Sequence, residues 1–267
     1  MQQKLFQNKT DDFRVNNQNH LNIECGFGLF KAVIINPTSN EVIWACSEES
    51  TGIEKSLNRL NLSDKGFAQV TINLANGYST LIPNKLFDEN QLDNYLNYNF
   101  ETIDHTIADF DSLKTVEAKN CYLLFKKERD DIYQLFSNAT IGHQSTSFIE
   151  LNRASDSSVI LEMHPTHFQL MHVRDHLFKI FNCFAYENAE DLLYYVTYAL
   201  RQLKIEKETV VELSGWIDEK STLYKKLKEY LPELKIRKAT ISPIKPGCIP
   251  LSELHQFNQV IRQHICA

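Results

Sequence analysis

The segment 21–46 constrains the fold of this chain more strongly than any other part of its sequence. Runs rich in apolar residues, with Val and Ile among them, occupy about 21–25, 29–35 and 41–46. A Gly-x-Gly segment separates the first two runs, and an Asn-Pro segment separates the last two. Such punctuation between β-branched runs is typical of hairpins. The sequence therefore predicts a three-stranded antiparallel meander.

The same pattern recurs in the second half of the chain, where apolar runs at 159–164, 168–173 and 177–185 predict another meander. A shift of 138 residues takes Glu24 to Glu162 and aligns the first two strands of both meanders without a gap. Each copy carries a Glu at the end of its first strand. We predict that the two halves arose by duplication, although amphipathic hairpins also share a period of two.

The remaining segments extend each meander to the order β-β-β-α-β-α-β. The first 20 residues predict a polar lead-in with a short edge strand, and the Asn-Gly pair between apolar runs at 67–73 and 78–83 predicts a hairpin. The other elements predicted in the first half are a short helix or loop at 50–62, helices at 88–100 and 129–136, an extended stretch near 103–110, and strands at 120–125 and 146–151. The other elements predicted in the second half are helices at 188–204, 221–231 and 252–265 and strands at 209–214 and 234–238.

A polar group at 152–158 predicts the boundary between the halves. We therefore expect an N-terminal domain at 1–152, with an inserted hairpin and helix, and a C-terminal domain at 153–267 that ends in a helix.

A duplicated β-β-β-α-β-α-β unit resembles the actin-like ATPase superfamily, which includes sugar kinases and actin homologues. Within it, the chain is similar to a small bacterial branch of unknown function. The resemblance covers most of 20–240 and implies an α/β protein of two RNase H-like halves around a cleft. It also implies one phosphate loop after the first strand of each half, closing on Mg-ATP, and a glycine pair against adenine. Actin-like cytoplasmic components of pilus and secretion machines, which the chain also resembles, serve as assembly platforms.

The implied phosphate loop of the first half contains Glu24, Gly26 and Gly28. Glycine allows backbone N–H groups to approach phosphate oxygens closely. Glu24 stands where the resemblance implies the shorter Asp, and Lys31 lies three residues past Gly28, where it is a candidate phosphate ligand. The alternative is a plain hairpin with glycine at its turn.

The implied loop of the second half contains Glu162, His164 and Thr166 but no glycine, and Pro165 removes a backbone donor. After the strand at 209–214, the expected glycine pair is reduced to Gly215, and Trp216 either stacks on a base or fills the space.

These departures predict an interaction or assembly component with a protein partner and weak or absent ATPase activity. The alternative is a working actin-like ATPase or kinase that binds Mg-ATP, with Glu24 and Glu162 at the metal. We assign no catalytic residue and no metal ligand.

Composition weighs against other classes of function. A net charge of −6, from 28 Lys and Arg against 34 Asp and Glu, gives no basic surface for nucleic acid. No apolar run has the length of a membrane span and the polar start lacks a signal-peptide core, so we expect a cytoplasmic protein.

Two clusters of polar residues are candidate metal sites. Four histidines lie at 164, 167, 172 and 176, but the second and third stand at opposite ends of one strand, roughly 16 Å apart. Three further acidic residues, at 109, 111 and 212, are available to a two-metal nuclease, but no motif links them to Glu24 and Glu162. The six cysteines form no Cys-x-x-Cys pair, so we expect reduced, structural thiols.

Overall fold

In the computed structural model the chain forms two compact units. Unit 1 comprises Met1–Leu151, Ile241–Pro250 and Gln259–Ala267, and unit 2 comprises Asn152–Thr240 and Leu251–Asn258. The structure describes residues 3–7, 18–50, 52–62, 66–152, 158–205, 209–239 and 241–263. Most of the polar group at 152–158 lies outside these residues, and the domain boundary after residue 152 stays a prediction.

Unit 1 is built on a large mixed sheet. Its strands are β1 (Lys4–Gln7), β2 (His20–Gly26), β3 (Leu29–Asn36), β4 (Glu41–Glu49), β5 (Gln69–Ala75) and β9 (Ala139–His143). Their order across the sheet is β1-β4-β3-β2-β5-β9. The meander β2-β3-β4 is antiparallel as predicted, β1 is the short edge strand, and β5 and β9 continue the sheet in parallel.

The core of unit 1 lies on one face of this sheet, under helices α1 (Ile53–Arg59) and α3 (Lys126–Leu135). Alternation along β2 places Leu21, Ile23 and Cys25 in this core, each at most 3% exposed. Because successive side chains of a strand point to opposite faces, Asn22 and Glu24 lie on the other face of the sheet.

A smaller sheet of unit 1 has the order β6-β8-β7 and packs against helix α2. Its elements are β6 (Ser79–Pro83), α2 (Leu92–Asn99), β7 (Thr106–Leu113) and β8 (Ala118–Phe125). The hairpin predicted over 67–83 is therefore wrong, because its two runs, β5 and β6, belong to different sheets. Asn76 redirects the chain: its Oδ1 accepts from Tyr78 N (2.9 Å) and its Nδ2 donates to Leu123 O (2.9 Å) on β8.

The strand predicted at 146–151 is also wrong, because these residues belong to helix α4 (Gln144–Asn152). The strand that completes the large sheet is β9, which comes just before α4. Asp111 on β7 stabilises the start of the helix, since its Oδ2 accepts from His143 N (2.9 Å) and from Thr146 Oγ1 (2.7 Å).

Unit 2 contains a single mixed sheet among its described residues, with helices on one face. Its elements are β10 (Ser158–Met163), β11 (His167–Arg174), β12 (Leu177–Ala185), α5 (Ala189–Gln202), β13 (Val211–Gly215), α6 (Thr222–Tyr230) and β14 (Leu234–Ile236). The strand order is β12-β11-β10-β13-β14. The elements agree with the predicted order, and Asn188 caps α5 by accepting from Asp191 N (3.0 Å).

The two sheets share strand order and register. Glu24 lies opposite Lys31 on β3, and Glu162 lies opposite Gln169 on β11, which are positions related by the shift of 138. The antiparallel pairs β3–β4 and β11–β12 also contain a bulge at equivalent positions. Duplication stays a prediction, and this correspondence supports it.

Helix α7 (Leu254–Arg262) begins in unit 2 and ends in unit 1. In unit 1, Asn22 Nδ2 donates to Val260 O (3.0 Å). Gln263, just past the helix, donates through Nε2 to Ile23 O (2.9 Å) and Thr71 O (2.7 Å). These buried amides tie the end of the helix to β2 and β5. Within the described ranges, no helix combines the length and apolarity needed to cross a bilayer.

Candidate functional site

The four candidates of the first half lie on one hairpin of unit 1. Glu24 and Gly26 end β2, Gly28 is in the turn, and Lys31 is on β3. Gly26 pairs with Leu29, so the turn has two residues, Phe27 (φ 50°) and Gly28 (φ 78°). Positive φ at both central residues is typical of a tight hairpin turn.

Glu24 and Lys31 form a buried ion pair. The Lys31 Nζ donates to Glu24 Oε1 at 3.0 Å, and the side chains are 0% and 2% exposed. The antiparallel register of β2 and β3 places the two residues directly opposite each other. Lys31 thus neutralises the carboxylate that the resemblance places near a metal.

Gly26 is required by packing within the sheet. A Cβ on this residue would lie 1.8 Å from Ala75 O of β5, and its φ of 138° strains any other residue. The close approach of the β5 backbone accounts for the glycine without a ligand.

The equivalent carboxylate of unit 2 is held by a hydroxyl group. Glu162 ends β10, is 2% exposed and accepts through Oε2 from Ser214 Oγ. Ser214 lies beside Glu162 in the parallel pair β10–β13. Opposite Glu162 on β11 is Gln169, also buried, so the position of Lys31 is taken by a neutral amide.

The turn after β10 is closed by hydrogen bonds within unit 2. His164 N donates to His167 O (2.9 Å), and Tyr186 donates through its N to Thr166 O (3.0 Å) and through its hydroxyl to His164 O (2.5 Å). His164 is fully buried, whereas Thr166 is exposed with its Oγ1 2.8 Å from His167 Nδ1. Two carbonyl groups of this turn are therefore bound by Tyr186.

Gly215 and Trp216 pack back against the end of β10. Trp216 N donates to Met163 O (2.7 Å), and the indole is only 5% exposed. Gly215 has a φ of 81°, and a Cβ there would lie 2.4 Å from Met163 O. Unit 2 thus brings Glu162, Ser214, Gly215 and the backbone of Trp216 together, and the indole is buried.

A cavity of about 630 Å³ lies elsewhere in unit 2 and was not predicted from the sequence. Its walls come from 218–220 after β13, 236–239 after β14, and 251–256 at the start of α7. His255 Nε2 donates to Ile217 O (2.9 Å) and fixes α7 beside β13. Basic and acidic side chains both line the cavity. Because three distant segments form it, no local motif reveals it.

A polar cluster in unit 1 was also missed. Asp111 Oδ1 accepts from Tyr122 OH (2.9 Å), whose ring stacks on His143 with centroids 4.9 Å apart. Burial raises the pKa of Asp111 and lowers that of His143 to about 3, so His143 is neutral at physiological pH. With its oxygens bound to β8 and to the start of α4, Asp111 joins the small sheet to the large one.

Comparisons with known proteins give the family and the fold. A family model described as protein of unknown function (DUF3822) matches residues 8–234. No curated protein matches the chain. A Bacteroides thetaiotaomicron VPI-5482 protein with an actin-like ATPase fold and unknown function is similar, with 21% identity and a TM-score of 0.73, over 85% of this chain and 94% of that one.

Two components of larger machines have the same fold. A chain of the PilM–PilN type IV pilus biogenesis complex matches with 12% identity and a TM-score of 0.65, over 92% of this chain and 97% of that one. The cytoplasmic domain of EpsL, an inner-membrane component of the Vibrio cholerae type II secretion system, matches with 11% identity and a TM-score of 0.53, over 94% and 96%. The resemblance noted from the sequence is confirmed, and the chain belongs to the DUF3822 family of proteins of unknown function, with an actin-like ATPase fold.

Proposed function

We propose that this protein is a cytoplasmic interaction or assembly component in which the nucleotide site of the actin-like fold is degenerate, with weak or no ATPase activity. The observation that carries the proposal is the buried pair of Glu24 and Lys31, 3.0 Å apart. A carboxylate near Mg²⁺ must offer its charge to the ion or to the waters around it. In this chain the charge is balanced by an ammonium group of the neighbouring strand.

The turns support the same conclusion. Phosphate binding uses several backbone N–H groups that converge on an open concavity. The turn after β2 has only two central residues, Phe27 and Gly28, and Pro165 has no N–H group to offer. The buried indole of Trp216 stands beside the single Gly215.

We therefore propose that Mg-ATP does not bind at β2, β3 and β10, and we derive no catalytic step through it. Two of the similar solved structures agree with a binding role. One is a chain of a pilus biogenesis complex, and the other is a domain of a secretion-system component. We infer that this protein likewise acts by holding a protein partner.

The alternative function, an ATPase or kinase that binds Mg-ATP, is favoured by one observation. The cavity of about 630 Å³ in unit 2 is large enough for a small molecule. Lys220 and Lys238 at its walls can bind an anionic group, and Asp218, Glu219 and Glu253 also line it.

Thermal unfolding with and without about 1 mM Mg-ATP tests the proposal, because a ligand at 100 times its Kd stabilises a protein by about 2.7 kcal/mol. We expect no shift in Tm and no phosphate release. A clear shift in Tm would overturn the proposal. If that shift disappeared in Lys238→Glu but persisted in Lys85→Glu, an exposed position in unit 1, the cavity would be the nucleotide site.

A further inference from the structure

Strand β12 (Leu177–Ala185) is an open edge of the unit 2 sheet. It pairs with β11 on one side, and no other described strand pairs with it. All of its residues are exposed or half-buried, with Leu177 59% exposed. The strand is nine residues long, mostly apolar and free of proline. Natural proteins usually shorten, charge or cover such an edge.

The backbone groups of the second half of β12 alternate between β11 and the outside. Tyr186 N donates to Thr166 O (3.0 Å), so even-numbered residues bond inward in this antiparallel pair. The N–H groups of Cys183 and Ala185 consequently face the open side. That of Cys183 is bound by the adjacent Asn182 Oδ1 (2.8 Å), a local contact that a strand partner can replace.

The sheet of unit 1 has a strand on its equivalent edge. Strand β4 is covered by β1, which runs antiparallel and pairs its four residues with Trp44–Ser47. Interior residues of β4 are buried, in contrast to those of β12. The shared register places Trp44 at Ile180 and Ser47 at Cys183, just past the bulge in each strand.

We propose that β12 is the docking site of a partner protein, which adds an extended segment antiparallel to 180–183. The proposal rests on the proposed function, because it names the surface through which the assembly component binds. The template for the bound segment is β1 itself, Lys-Leu-Phe-Gln, with two apolar residues at its centre.

The charges beside β12 define the ends of the segment. Arg174 and Lys179 are exposed near the start of the strand, and Glu187 is exposed after its end. In an antiparallel pair the C-terminal end of the added segment lies near Lys179, and its N-terminal end lies near Glu187. The partner segment therefore has a basic N-terminal end, an apolar centre and an acidic C-terminal end.

A synthetic peptide with Lys-Leu-Phe-Gln at its centre and acidic residues at its C-terminal end tests the proposal. The readout is amide hydrogen exchange of 180–185 in the full chain. Peptide at ten times its Kd should slow exchange of the Cys183 and Ala185 amides by about tenfold. The same peptide N-methylated on the groups that face β12 should have no effect, because it keeps the side chains and loses the hydrogen bonds.

Two variants sharpen the test. Cys183→Pro removes an outward N–H at an edge position that tolerates proline, and it should abolish protection. Lys179→Glu should weaken the acidic-tailed peptide about tenfold and favour a basic-tailed one, whereas Lys85→Glu should change neither.

Absence of protection at about 1 mM peptide, the weak limit of specific peptide binding, would overturn the proposal. So would equal protection by the N-methylated peptide. A dimer that dissociates in Cys183→Pro would also overturn it, since the occupant would then be a second copy. If the peptide gives no protection and Mg-ATP does not shift the Tm, only this docking site is refuted. If the peptide binds and Mg-ATP does shift the Tm, only the proposed function is refuted.

Discussion

Replacing Lys31 by Met should strongly destabilise unit 1, because it leaves the Glu24 carboxylate charged and buried. The side chains are 0% and 2% exposed, so water does not screen the pair. Two unit charges 3.0 Å apart attract each other by about 5.5 kcal/mol at an effective dielectric constant of about 20. Removing one partner of a buried pair typically costs about 3–5 kcal/mol.

We therefore expect Lys31→Met to lower the free energy of unfolding by about 3–5 kcal/mol. Glu24→Gln should have a similar effect, because it leaves a buried ammonium. The double variant Glu24→Gln, Lys31→Met should lose less than the sum of the single variants, since neither charge remains.

Urea unfolding followed by circular dichroism measures all four proteins. Lys127→Met is the matched control: this lysine also binds carboxylates, of Asp131 and Glu54, but is 79% exposed, and such surface pairs contribute about 0–1 kcal/mol. If Lys31→Met destabilised the protein no more than Lys127→Met, the pair would not be desolvated. The main argument against a metal at Glu24 would then fail.

Three other substitutions test separate features by the same unfolding measurement. Gly26→Ala should lose at least about 3 kcal/mol or prevent folding, because its Cβ would lie 1.8 Å from Ala75 O, whereas Gly77→Ala, with nothing within 4 Å, should change stability by less than about 1 kcal/mol. Burial, reinforced by Asp131, raises the pKa of Glu128 from 4.5 to about 7, so its contribution to stability is full below about pH 4.5 and is lost as the pH rises through about 7. Glu128→Gln should abolish that fall of about 3 kcal/mol, and an unchanged pH profile would contradict the assignment. Asn188→Ala should lower stability by about 0.5–2 kcal/mol through loss of the α5 cap, and a neutral effect would show that the cap is dispensable.

Local sequence patterns predicted the strands and helices of the second half of the chain, but they failed for parts of the first half. The residues 146–151 include Thr, Phe and Ile, which favour strands. They form a helix because Asp111, more than thirty residues earlier, accepts from His143 N and Thr146 Oγ1 (sequence separations 32 and 35). Contacts at such separations leave no mark on local periodicity.

The pairing of Glu24 with Lys31 could have been found from the sequence. A two-residue turn at Phe27 and Gly28 makes Gly26 pair with Leu29, and the same register places Lys31 opposite Glu24. The candidate phosphate ligand is then a partner of the candidate metal ligand. The position of Trp216 depends on a hydrogen bond to Met163 O of another strand. The sequence alone therefore could not decide whether the indole stacks on a base or fills space in the fold.

The hydrogen bonds of Gln263 determine when unit 1 can be completed during synthesis of the chain. Its amide reaches Ile23 O, 240 residues earlier in the chain, and Thr71 O. At about 5–20 residues per second, a ribosome needs roughly 12–48 s to cover that distance. During that interval β2 and β5 have been synthesised, but the Gln263 side-chain amide that binds both strands has not. Unit 1 is therefore completed only after unit 2 has been synthesised, although its first strands emerge long before those of unit 2.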